Sequence, residues 1–181
     1  METYLSLKLQ VSNTRELILL SFLSILVTVG KMSLATIPNV EIVSFLFILY
    51  TIVLGVRRSL LVSVVFSTTE ILIWGFGLWT FGYYLIWPLL ILITHLLRRR
   101  IKGAFGWAIV SGLFGLSFGL LFAIYTAPLT NINIFIYWVN GIMFDIVHMI
   151  GNFTLMLILY KPIKRVLEKQ VKLEALSQGL G

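Results

Sequence analysis

Cysteine is missing from all 181 positions, which excludes disulfide bridges and thiolate metal sites. Charge is scarce as well. Asp, Glu, Lys and Arg make up 12% of the chain, about half of the roughly 25% usual in soluble domains. The two histidines and seven acidic residues are not grouped at ligand spacing, so they offer no metal centre. No glycine-rich loop ends in Lys-Ser or Lys-Thr, which removes ATP hydrolysis by that route. The paired, Gly/Pro-broken segments of inverted-repeat transporters are absent too. The first fifteen residues lack a short apolar core before a small-residue cleavage site, so no cleavable signal is expected.

What the chain does have is apolar surface: 59% of its residues are hydrophobic and the mean hydropathy is +1.01. The apolar residues fall into six runs, at 16–35, 42–55, 59–76, 83–97, 104–125 and 134–160. About 20 residues cross the hydrocarbon of a bilayer. The expected protein is therefore an all-α integral membrane protein, one domain over 1–181 built as a bundle of six transmembrane helices. Runs 42–55 and 83–97 need their flanks to complete a crossing. A polar lead occupies 1–15 and a basic tail 161–181. Turns are expected around Pro38, at Gly75 and Gly77 and behind Pro128, while the last run ends at Lys161-Pro162 ahead of a basic helical tail.

The net charge of +7 is distributed by side. Lys8, Arg15, Arg57, Arg58, Arg98, Arg99, Arg100, Lys102 and the tail cations fall on one side of the expected bundle. At most Lys31 falls on the other. The positive-inside rule then puts both termini in the cytoplasm and turns the connections 38–41, 75–82 and 128–133 outward. The basic groups read as topology determinants over anionic lipid heads, a role compatible with docking a cytoplasmic partner. Split among short loops, they form no nucleic-acid face.

Inside a span an ionisable group costs roughly 2.5–3.5 kcal/mol, so Glu70, Asp145 and His148 each need a reason. Helical spacing places Glu70 with Ser63, Ser67, Trp74 and Gly77, and Asp145 with Trp138, Gly141, His148 and Asn152. Tyr84, Trp87, Ile91 and His95 form a third stripe. Two uses stand open: bonds among these groups, such as Asp145 with His148, or the lining of a ligand pocket. Trp107 fits an interfacial aromatic belt. Trp74, Trp79, Tyr83 and Trp87, gathered around one outward turn, exceed what a belt requires.

Gly115-Leu116-Ser117-Phe118-Gly119 matches G-x-S-x-G, and His148 lies at similar depth, which would suit an intramembrane serine hydrolase. Within a helix the motif lacks its strand-to-helix turn. Ser111, Gly112, Gly115 and Gly119 make a simpler close-packing ridge.

Three segments carry a resemblance: Ile37-Pro38-Asn39-Val40-Glu41 through Ser44, Gly75-Phe76-Gly77-Leu78-Trp79, and Phe144-Asp145-Ile146-Val147-His148 through Asn152. With six short spans and both ends inside, the chain resembles the S component of an energy-coupling factor (ECF) vitamin transporter. The resemblance implies a non-enzymatic, high-affinity vitamin-binding subunit in a bacterial plasma membrane. Its partners would be a transmembrane T component and two cytoplasmic ATPases, which use the ATP; the subunit itself needs no cofactor. It implies ligand contacts in the outer halves of the spans, here Asn39, Glu41, Glu70, Trp74, Trp79, Tyr83, Trp87 and Asp145. It implies docking through small residues of the first span, here Ser21, Ser24 and Thr28 in place of the family's usual Ala-x-x-x-Ala. The nearest subgroup is the one for cobalamin. Pantothenate, riboflavin, folate and a pyrimidine or pyridoxine compound stay open.

Overall fold

The computed structural model describes residues 14–37 and 40–177. Six helices follow one another: α1 (Thr14–Leu34), α2 (Val43–Leu54), α3 (Val56–Trp74), α4 (Leu78–Leu97), α5 (Ala104–Leu129) and α6 (Ile134–Ser177). No strand occurs among the described residues.

The short helix α2 lies at the centre. Its sequence is apolar on every side, and such a helix has no face to give to water. Every residue from Val43 to Thr51 is buried, and α2 packs against each of the other five helices. Its twelve residues reach about 18 Å at 1.5 Å per residue, so the short second run is a core element wrapped by longer ones. Phe47 meets Phe66 of α3 and Trp87 of α4 at ring separations of 5.8 and 5.5 Å. Tyr50 donates to the Leu23 carbonyl of α1 at 3.3 Å.

Gly55 and Gly75 end α2 and α3 with φ of 88° and 82°, a region where a Cβ is strained. Each lets the chain reverse in a tight turn; the segment between α1 and α2 and the turn at Gly55 bring α3 back alongside α1 in the same direction. Two ion pairs record that parallel register. Near the start of both helices, buried Arg58 donates through Nε to Glu16 Oε1 at 3.1 Å. Near their far ends, Lys31 donates to Glu70.

The α5–α6 pair is joined by the small-residue ridge. A Cβ on Gly115 would sit 2.9 Å from the His148 carbonyl oxygen, and one on Gly119 2.5 Å from Asp145 Oδ2. Only glycine permits that approach.

Four segments are long and apolar enough to cross a membrane: Glu16–Leu34, Leu78–Leu97, Ala104–Leu129 and Ile134–Leu173. This architecture is consistent with a helical membrane protein. Helix α3 has 19 residues but includes Arg57, Arg58 and Glu70, which dilute its hydropathy.

Three expectations change. Helix α5 runs through Pro128 to Leu129. Helix α6 passes Pro162 without stopping and continues to Ser177, 44 residues in all, about 66 Å at 1.5 Å per residue. Proline removes one backbone bond, and the turns on either side hold: Lys164 pairs with Glu168 at 3.5 Å and lies over the Tyr160 ring at 5.5 Å. Trp107 is 1% exposed; it belongs to the core and not to a belt.

Candidate functional site

At the ends of α1 and α3 opposite the Glu16–Arg58 pair, four elements bring polar groups together. Lys31 comes from the last turn of α1, one turn beyond Thr28. Glu70 comes from α3, one turn beyond Ser67, and is 0% exposed. Tyr83 comes from α4 and Glu41 from the segment just before α2. The Lys31 ammonium donates to Glu70 Oε2 and to the Tyr83 hydroxyl, the latter at 3.1 Å, and lies 5.1 Å from the Tyr83 ring centroid. Burial pushes the Glu41 carboxyl above its ordinary range; Lys31 draws it back and Glu70 raises it again.

Several polar atoms here have no hydrogen-bond partner in the protein although they are buried: Glu41 Oε2, Glu70 Oε1 and the hydroxyls of Thr28, Ser44 and Ser67. A buried acceptor without a donor costs free energy, and these atoms lie together at one end of α1, α2 and α3 with bonding capacity unused. An aromatic wall adjoins it. Trp79 meets Tyr83 edge-on at 5.1 Å, Phe66 stacks on Tyr83 at 6.0 Å, and Trp87 stands below at 5.5 Å.

Of the residues expected from the sequence, Glu41, Glu70, Tyr83 and Trp79 therefore come together. Trp87 is fully buried beneath them, its indole N–H without a partner. Asn39 lies outside the described residues. Trp74 does not share the environment of Glu70: it is the last residue of α3 before the Gly75 reversal and is 61% exposed. Asp145 is held elsewhere. Its Oδ1 accepts the Gly119 N–H at 2.8 Å and its Oδ2 the Trp138 indole N–H at 3.2 Å. Of the bonds open within its own stripe, Asp145 makes the one with Trp138 and not the one with His148, and the glycine ridge supplies a backbone donor from α5. His148 instead sits between Phe118 and Phe144, at 5.0 and 5.8 Å, with both ring nitrogens unpartnered. Ser117 donates to the Leu113 carbonyl at 2.8 Å, so Ser117 and His148 form no hydrogen-bonded pair.

The small residues of α1 also divide. Ser24 donates to the Leu20 carbonyl at 2.8 Å and reaches the Val62 carbonyl of α3 at 3.5 Å. Ser24 and Thr28 are buried, and α3 covers the face they share, which turns them away from an outside helix; Ser21 alone is exposed.

Lys31 is the member of this cluster that the sequence reading missed. The signal existed: Ser24, Thr28 and Lys31 follow the four- and three-residue spacing of one helix face. Counting Lys31 as a loop charge hid it.

Among the described residues, no three His, Asp or Glu side chains gather as a metal would require. Comparisons of the chain with protein-family models, curated proteins and solved structures find no match.

Proposed function

We propose that the chain is the substrate-binding S component of an ECF-type vitamin transporter, itself without catalytic activity. In this reading the six-helix bundle sits in a bacterial plasma membrane with the short α2 enclosed by the longer helices, both termini are cytoplasmic, and a T component with two ATPases supplies the energy. The orientation rests on charge. Arg57 and Arg58 open α3 and Arg98, Arg99, Arg100 and Lys102 follow α4, positions that the positive-inside rule assigns to the cytoplasm. The Lys31–Glu70 cluster belongs to the opposite end of α3 and so faces the side from which a solute arrives.

The observation that carries the proposal is the cluster of buried polar atoms with unused bonding capacity beside the wall of Phe66, Trp79, Tyr83 and Trp87. Such groups burden a fold, and a few convergent polar groups against an aromatic surface are what a small-molecule site requires. Broad aromatic faces suit a large, flat ligand, which keeps cobalamin first, with riboflavin, folate, pantothenate and a pyridoxine or pyrimidine compound behind it. With Ser24 and Thr28 covered by α3, docking on the T component falls to the exposed side of α1 around Ser21.

Cells lacking their own vitamin uptake decide the matter. Co-expression with the T component and ATPases should give ATP-dependent accumulation and co-purification of all subunits. Accumulation by the chain alone, or no association with those subunits, contradicts the proposal.

A further inference from the structure

The proposed binding role leaves open what the site accepts, and the charges around it narrow the choice. Two carboxylates, Glu41 and Glu70, face one ammonium, Lys31. That ammonium is already engaged by Glu70 and by the hydroxyl and ring of Tyr83. Ionised carboxylates only accept hydrogen bonds, and one oxygen of each, Glu41 Oε2 and Glu70 Oε1, has no donor. The hydroxyls of Thr28, Ser44 and Ser67 can donate or accept and so favour neither sign. The shortage is thus of donors carrying positive charge or partial charge. A carboxylate or phosphate arriving here would add a third negative charge where burial leaves little screening.

We propose that the site recognises a flat solute through N–H groups laid against Glu41 and Glu70, and rejects solutes presenting a carboxylate or phosphate at that end. The N–H groups belong to a protonated amine, an amidinium, an amino-substituted heterocycle or a primary amide. Trp79 and Tyr83 cover the plane of the solute, while Lys31 stays on Glu70 Oε2 and leaves Oε1 for the solute. The selectivity comes from charge balance rather than from shape.

The test uses the purified full chain, titrated calorimetrically and followed by thermal shift. Thiamine, pyridoxamine and cyanocobalamin present N–H groups without a carboxylate; biotin, pantothenate and folate carry one. The tight ligand should come from the first group. Glu41→Gln should weaken it at least tenfold, and Glu41→Asp, which keeps the charge, should retain more affinity than Glu41→Gln. A carboxylate vitamin that binds most tightly and loses that affinity when its carboxylate is converted to an amide overturns the inference and leaves the binding role standing. So does an affinity unchanged within twofold in Glu41→Gln. Binding of none of the six, nor of riboflavin titrated beside them, overturns the binding role and the inference together.

Discussion

Glu41 carries its cost in the folded state. Burial and Glu70 raise its carboxyl pKa above the ordinary 4.5, and Lys31 only partly offsets them. Between 4.5 and the raised value the folded protein holds a proton that the unfolded chain has released. Stability therefore falls as pH rises through that window. Glu41→Gln abolishes the titration. Its unfolding temperature should match the parent's near pH 4 and exceed it at pH 7; equal temperatures at both would show that the carboxyl is not desolvated. A residue that stabilises the protein when neutralised, yet is needed for binding, is typical of a functional site. At this scale much was legible in the sequence. Glu70 announced itself as a charge inside an apolar run, and Ser63 and Ser67 came out buried on its face. Lys31 did not, because a single lysine at a helix end reads equally as solvent-exposed, and only the partner on α3 decides between the two.

Helices were legible as apolar runs, and their ends were legible where glycine forces a reversal, as at Gly55 and Gly75. The prolines misled. Pro128 and Pro162 lie within α5 and α6, since tertiary packing and flanking pairs outweigh one lost backbone bond. The ridge on α5 was legible from its small residues, but not its second use as the seat of Asp145, which depends on the register of α5 against α6. That register makes a sharp contrast available. A Cβ on Gly119 would collide with the Asp145 carboxylate at 2.5 Å, whereas one on Gly141 meets nothing within 4 Å. Gly119→Ala should cost about 1–3 kcal/mol of stability through overpacking. Gly141→Ala should be neutral or stabilising by up to about 1 kcal/mol, through helix propensity. Chemical denaturation in detergent reads both, and equal effects would mean the close α5–α6 approach is wrong.

Over the whole molecule, a buried twelve-residue helix surrounded by longer ones explains why an even set of six equal spans was never visible in the hydropathy. The parallel pair α1–α3 is pinned at one end by Glu16–Arg58 and at the other by Lys31–Glu70, so the proposed binding cluster is also a structural clasp. The cysteine-free chain makes orientation directly measurable. A single cysteine at Phe76, in the reversal between α3 and α4, should react with an impermeant thiol reagent on intact cells. One at Lys102 should react only after permeabilisation. The reverse pattern would put the cluster on the cytoplasmic side and remove the basis for uptake.

The central claim is that the Lys31–Glu41–Glu70–Tyr83 cluster and its aromatic wall receive the vitamin. A calorimetric titration of the purified chain with its tightest vitamin, in the parent, Trp79→Ala and Trp74→Ala proteins, tests it most directly. Trp79 packs on Tyr83 and Trp74 stands exposed after Glu70. The expected result is one site per chain, weakened at least tenfold by Trp79→Ala and changed less than twofold by Trp74→Ala. Affinity untouched by Trp79→Ala, or lost instead with Trp74→Ala, would place the ligand somewhere other than this cluster.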